Sequence, residues 1–211
     1  MTRTFALAAA LAVAMTTSTA ATTVRNGNEL RTPPVRKIRD LSFEFVGQFQ
    51  NSAPGVTPAT HIHYGYLSYV RGLSAFKATP QNETTALFTF FADAATPRVI
   101  SNGPLRVITR TGKLTLYLDP STNGNFARPD TFRDGRRVLV AEFRQEVVNN
   151  TVTNSFTTFH RNRITSTTPF RGSRGKVQLG QIGEAFRTYF SGQGNMPGPP
   201  SGYFGGYAVS G

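Results

Sequence analysis

Residues 136–148, RRVLVAEFRQEVV, alternate between two chemistries. Leu139, Ala141, Phe143 and Val147 fall on one side of an extended backbone, and Glu142, Arg144 and Glu146 fall on the other. A period of two with one apolar and one charged side predicts a strand buried on one face. Gln145 shares the apolar side, as an uncharged polar group aimed at the core.

The same rhythm runs outward in both directions. Leu41, Phe43, Phe45 and Phe49 oppose Ser42, Glu44 and Gln48; residues 61–71 and 86–92 are further strands, the latter apolar on both faces. Leu105, Val107 and Thr109 oppose Arg106, Ile108 and Arg110, and Leu114, Leu116 and Leu118 oppose Lys113, Thr115 and Tyr117. Segments 151–166 and 183–190 complete the set. Asn102-Gly103-Pro104, Thr111-Gly112, Asp134-Gly135, Asn149-Asn150 and Arg174-Gly175 punctuate them with the residues that tight turns require. About eight antiparallel strands joined by short turns predict an all-β fold, an eight-stranded antiparallel barrel, because closure removes exposed edges. A two-sheet sandwich is the runner-up architecture for this pattern.

The ends read differently. Arg3, the apolar run 5–15 and the small residues Ser18-Thr19-Ala20 have the form of a cleavable signal peptide over residues 1–20. Eleven helical residues reach only about 16 Å, too short for a span. Residues 21–39 read as a flexible leader, 40–191 as the barrel domain, and the Gly- and Pro-rich 192–211 as a disordered tail. Export to the periplasm or the extracellular medium follows from the signal peptide. The chain has no cysteine, which excludes thiol chemistry and cysteine-bound metal; a domain of this size builds its core without disulfides.

The formal charge is +12, and nineteen of the 23 basic residues are arginine. They are scattered rather than interleaved with aromatics, so no nucleic-acid platform is expected. The charges opposite the apolar faces (Glu44, Arg106, Arg110, Glu142, Arg144, Arg161 and Arg163) argue against stable membrane insertion.

Three segments and the closing one carry a resemblance: LTLYLDP (114–120), NFARPDTFRDG (125–135), RRVLVAEF (136–143) and LGQIGEAFRTYFSG (179–192). In these the chain resembles bacterial relatives of the allene oxide cyclase and dirigent barrel superfamily. The resemblance lies in strand-turn rhythm over about half the chain. It implies an eight-stranded barrel with an apolar cavity, a homo-oligomer (trimer or dimer), and the alternative of a cyclase- or isomerase-type enzyme. It carries over no catalytic residue.

Candidate site residues follow from parity. His160 shares a side with Asn154, Phe156 and Ile164, and Glu184 shares one with Phe186 and Phe190. Together with Gln145, Tyr64 and Tyr66, they would line a cavity holding an apolar small molecule. His160 and Glu184 could serve there as base and acid. His61 and His63 would point outward, since Ile62, Tyr64, Tyr66 and Val70 are assigned to the inner face. No third ligand is nominated beside these histidines, so neither a metal nor a cofactor is expected. Loop 119–135 has the length of an Ω-like connection, with Phe126 and Phe132 tucked onto the barrel. Its Asp and Asn residues match no calcium-loop spacing. There is no Gly-x-Ser-x-Gly elbow, phosphate-binding glycine loop or His-Glu-x-x-His, which argues against the common hydrolases, nucleotide enzymes and zinc proteases.

Overall fold

A computed structural model describes residues 34–194 and 200–210. Residues 1–20, read above as a signal peptide, residues 21–33 of the expected leader, and residues 195–199 and 211 lie outside the described residues. Eight strands form one closed, wholly antiparallel barrel: β2 (Ser42–Asn51), β3 (Ala59–Val70), β4 (Phe88–Asn102), β5 (Leu105–Leu118), β6 (Arg136–Asn150), β7 (Ser155–Thr167), β10 (Ala185–Gly194) and β11 (Gly202–Ser210). Their order around the barrel is β10-β11-β2-β3-β4-β5-β6-β7, with β7 pairing back to β10. The sandwich alternative does not occur. No helix among the described residues is long and apolar enough to cross a membrane.

Two end segments are corrected. The Gly- and Pro-rich stretch assigned to a disordered tail contains β11, which pairs with β10 on one side and β2 on the other and closes the barrel. Its glycines have a packing reason. A Cβ on Gly202 would lie 2.4 Å from the Phe49 ring, and one on Gly206 2.4 Å from Phe190 Cβ, so only glycine lets these neighbours fill the lumen. The last residues of the leader, Arg36–Ile38, form β1, which pairs in parallel with β9 (Gly175–Leu179). With β8 (Phe170–Gly172), these make a second, three-stranded sheet. Phe170, Val177 and Leu179 are buried in the same apolar cluster as Phe88 and Val138, so this small sheet plugs one barrel end.

The apolar half of the barrel is packed with rings. Phe43, Phe45, Phe90, Phe186, Phe190 and Phe204 meet at centroid separations of 4.8–6.2 Å, mostly edge-on or tilted, the geometry aromatic quadrupoles favour. Outside the barrel a smaller core forms. Loop 119–135, with a 3-10 turn at Pro129–Phe132, lays Phe126 and Phe132 over Tyr64, Phe91 and Tyr117, as its length and aromatics predict. Arg133 caps the arrangement, its guanidinium 4.6 Å above the Phe91 ring.

Candidate functional site

The barrel end away from the small sheet holds a cavity of about 400 Å³, and the residues lining it decide what it can do. β3 sends His61 and His63 inward, not outward. A bulge at Glu44/Phe45 lets Leu67 and Val70 both face the core, while Ile62, Tyr64 and Tyr66 lie on the outer side. Tyr64 is fully buried, but under loop 119–135; its hydroxyl donates to Gln48 Oε1 and accepts from Gln50 Nε2. Tyr64 and Tyr66 therefore do not line the lumen. Apolar alternation points to the opposite face, because the side of β3 that the loop covers is apolar too.

The same inversion occurs on β5. Arg106, Ile108 and Arg110 line the cavity, and Leu105 is exposed. Gln145 and His160 do face inward as their parity predicts; they are cross-strand partners on β6 and β7, with relative exposures of 1% and 5%. Glu184 does not join them. It sits in the turn before β10, where its Oε2 accepts from the Gln181 N–H at 2.8 Å and its carbonyl accepts from the Ile164 N–H. The strand position opposite His160 on β10 is Thr188, four residues further on. The structure thus does not assemble a His160–Glu184 acid–base pair.

What it does assemble are all three histidines of the chain. The His61 and His63 rings stack at 4.9 Å, His63 and His160 lie 6.4 Å apart, and His160 stacks on Phe143 at 4.6 Å. Both ring nitrogens of His160, Nε2 of His61, both amide atoms of Gln145 and the Thr158 hydroxyl are buried without a hydrogen-bond partner. Asn162 beneath them is half satisfied: its Nδ2 donates to Phe186 O and Thr188 Oγ1, and its Oδ1 has no partner. Native interiors leave few such groups, so this concentration sets the histidine region apart from the apolar half of the barrel. No group of three His, Cys, Asp or Glu among the described residues is arranged to hold a metal ion.

The electrostatics run one way. Burial pushes the His61 imidazole down to about 2, with the Arg110 guanidinium adding to the effect; Gln145 opposes part of it without reaching good hydrogen-bond geometry. Burial, and then Arg110, lowers His160 to about 3. Burial, with His61 and Arg110 nearby, holds His63 well below its ordinary value. The histidines are therefore neutral at physiological pH, and the fixed charge among them is Arg110, itself pushed down by burial to about 10. Its Nε donates to Thr96 Oγ1 at 3.2 Å. No Asp or Glu lines the cavity.

Sequence reasoning missed His61, His63, Arg106 and Arg110. A signal was present: Ile108 shares its face with Arg106 and Arg110 while Val107 lies opposite, and Ile62 lies opposite His61 and His63, so either face of each strand could have been the inner one. No protein family, curated protein or solved structure was found to match this chain.

Proposed function

We propose that this protein is an exported, water-facing barrel that binds a small molecule in its open half. The carrying observation is the cavity of about 400 Å³, whose wall holds the unpartnered Gln145 amide and Thr158 hydroxyl beside Phe49, Phe156 and Phe190. Small-molecule sites are typically clefts of about 300–1,000 Å³, mostly apolar with a few placed polar groups. The lining is more polar than a purely apolar ligand would need, so the occupant carries polar atoms of its own. The outer face supports the water-facing reading: it carries Glu44, Glu142, Arg144, Arg161 and Arg163, all exposed. Each arginine at a bilayer midplane would cost about 2–4 kcal/mol. Native mass spectrometry of protein purified from its own host is expected to show an added mass that denaturation releases. Thr158→Phe, which places a ring in the cavity, is expected to abolish it. An unliganded native mass, with only water in the cavity of a crystal structure, overturns the reading.

A second reading, a surface-interaction protein, is favoured by one specific feature. Arg144, Arg161 and Arg187 are direct register partners across β6, β7 and β10. Like charges placed opposite one another destabilise a sheet unless an anion lies between them. The two ion pairs among the described residues, Arg71–Asp40 and Arg133–Asp130, involve none of the three. The adjacent row on the same face is Phe159–Tyr189–Tyr207, with ring centroids 5.3 and 5.7 Å apart. This reading predicts binding to polygalacturonate that weakens steeply with salt and is lost in the Arg161→Gln/Arg187→Gln double variant. Salt-independent binding, or none at low salt, would count against it.

A further inference from the structure

We propose that the ligand of the barrel cavity is an organic carboxylate, held by the Arg110 guanidinium with its apolar body against the phenylalanines of the lumen. This rests on the cavity being a ligand site, as argued above, and adds the chemical class.

Four observations carry it. Arg110 points into the lumen and spends only its Nε on the protein, through Thr96; its two terminal nitrogens donate no hydrogen bond among the described residues. Those two nitrogens form the fork that matches the two oxygens of a carboxylate. No acidic side chain lines the cavity, so the positive charge has no internal counter-ion. A half-buried guanidinium without a counter-ion is costly, and a bound anion removes that cost.

The surrounding polar groups are suited to the same guest. Gln145, 1% exposed, has both amide atoms unpartnered, so its Nε2 can donate to the second lone pairs of a carboxylate. His63, the histidine of the wall, is uncharged, which leaves Arg110 as the one positive charge inside the cavity. One charge matches a monoanion; Arg106 stands at the exposed mouth and does not add a second at depth. A phosphate monoester, close to a dianion, is therefore the poorer fit. Phe49, Phe156 and Phe190 give the apolar wall opposite, and Phe49–Phe156 meet edge-on at 5.5 Å.

Calorimetric titration of the full chain with three probes tests this: 2-naphthoate, 2-naphthamide and 2-naphthyl phosphate. Naphthoate is expected to bind about tenfold or more tightly than the isosteric amide, since hydrogen bonds to charged groups are the stronger ones. It should also bind more tightly than the phosphate. Arg110→Gln is expected to bring naphthoate down to the level of the amide and leave amide binding unchanged, whereas Arg171→Gln, exposed on β8 at the other end of the barrel, should change neither. Equal binding of naphthoate and amide overturns the carboxylate assignment while leaving the cavity reading in place, and so does a preference that survives Arg110→Gln. Tighter binding of the phosphate overturns it too. If no probe binds, the cavity reading falls with it. Should Arg110→Gln fail to fold, Arg110→Lys keeps the charge but loses the fork, and is expected to weaken naphthoate selectively; an unchanged naphthoate-to-amide ratio in that variant overturns the proposal.

Discussion

Ending the chain at residue 199 abolishes the folded barrel. The truncation removes β11, which pairs over nine residues with β10 and over eight with β2, so two long strand edges are left unpaired. It also removes Phe204 and Ala208 from the core; Phe204 touches Phe45, Phe90, Phe190 and His63. Loss of a buried phenylalanine alone costs about 3–5 kcal/mol, against a total stability of about 5–15 kcal/mol for a domain. Adding the lost strand pairing and the opened lumen exceeds that margin, and the exposed edges favour aggregation. Expression of the truncated chain is expected to give insoluble material, or a soluble fraction without a cooperative urea transition. A truncated protein with the full-length urea midpoint and slope would show that β11 is dispensable.

Acid unfolds the protein through its three buried histidines. In the unfolded chain the three histidines take up protons around 6.5, whereas in the folded barrel His61 is held at about 2, His160 at about 3, and His63 well below its ordinary value. Between those limits the unfolded state binds more protons, so stability rises with pH; it is complete above about 6.5 and is lost as the pH falls below it. The facing charge is the Arg110 guanidinium, with Arg106 at the mouth, and no carboxylate lines the cavity to offset it. Each histidine contributes a slope of about 1.4 kcal/mol per pH unit, so the three together reach about 4 kcal/mol per unit at most. Against a typical stability of about 5–15 kcal/mol, this slope places unfolding between about pH 5 and pH 3. Urea midpoints measured at pH 7.5 and 5.5 should fall sharply, and His160→Gln should flatten the dependence by about a third. A midpoint that does not move between those two pH values would mean that the histidines are accessible to protons in the folded protein.

Much of this architecture was legible in the chain. Alternation of Leu139, Ala141 and Phe143 with Glu142 and Arg144 marked β6, because a half-buried strand must segregate apolar from charged residues residue by residue. Asn102-Gly103, Asn149-Asn150 and Arg174-Gly175 marked hairpins, but Thr111-Gly112 is no turn: it lies inside β5, where Gly112 makes room for the Phe143 ring. The same parity placed Gln145 and His160 inside, where both lie. Phe126 and Phe132 in a long polar loop announced that the loop folds back on the barrel, and it does. These are local facts, decided by which neighbours in sequence share a face.

Only the closed barrel decided the rest. A period of two separates two faces but does not say which one encloses the lumen. On β3 the loop laid over Tyr64 makes the outer face apolar, so His61 and His63 take the inner one; on β5 Arg106 and Arg110 do the same. The bulge at Glu44/Phe45 shifts the register within β3 and cannot be seen without its partner strand. β11 has the composition of a linker, since Gly202 and Gly206 yield the space that Phe49 and Phe190 occupy. Their role exists only once strands far apart in sequence are side by side. The cluster of His61, His63, Arg110, Gln145 and His160 is likewise drawn from four strands, and no spacing along the chain encodes it. The sequence by itself determined seven of the eight barrel strands in outline, but not β11. Closure determined which side chains share the cavity, because the lumen comes into being only when the last strand pairs with the first.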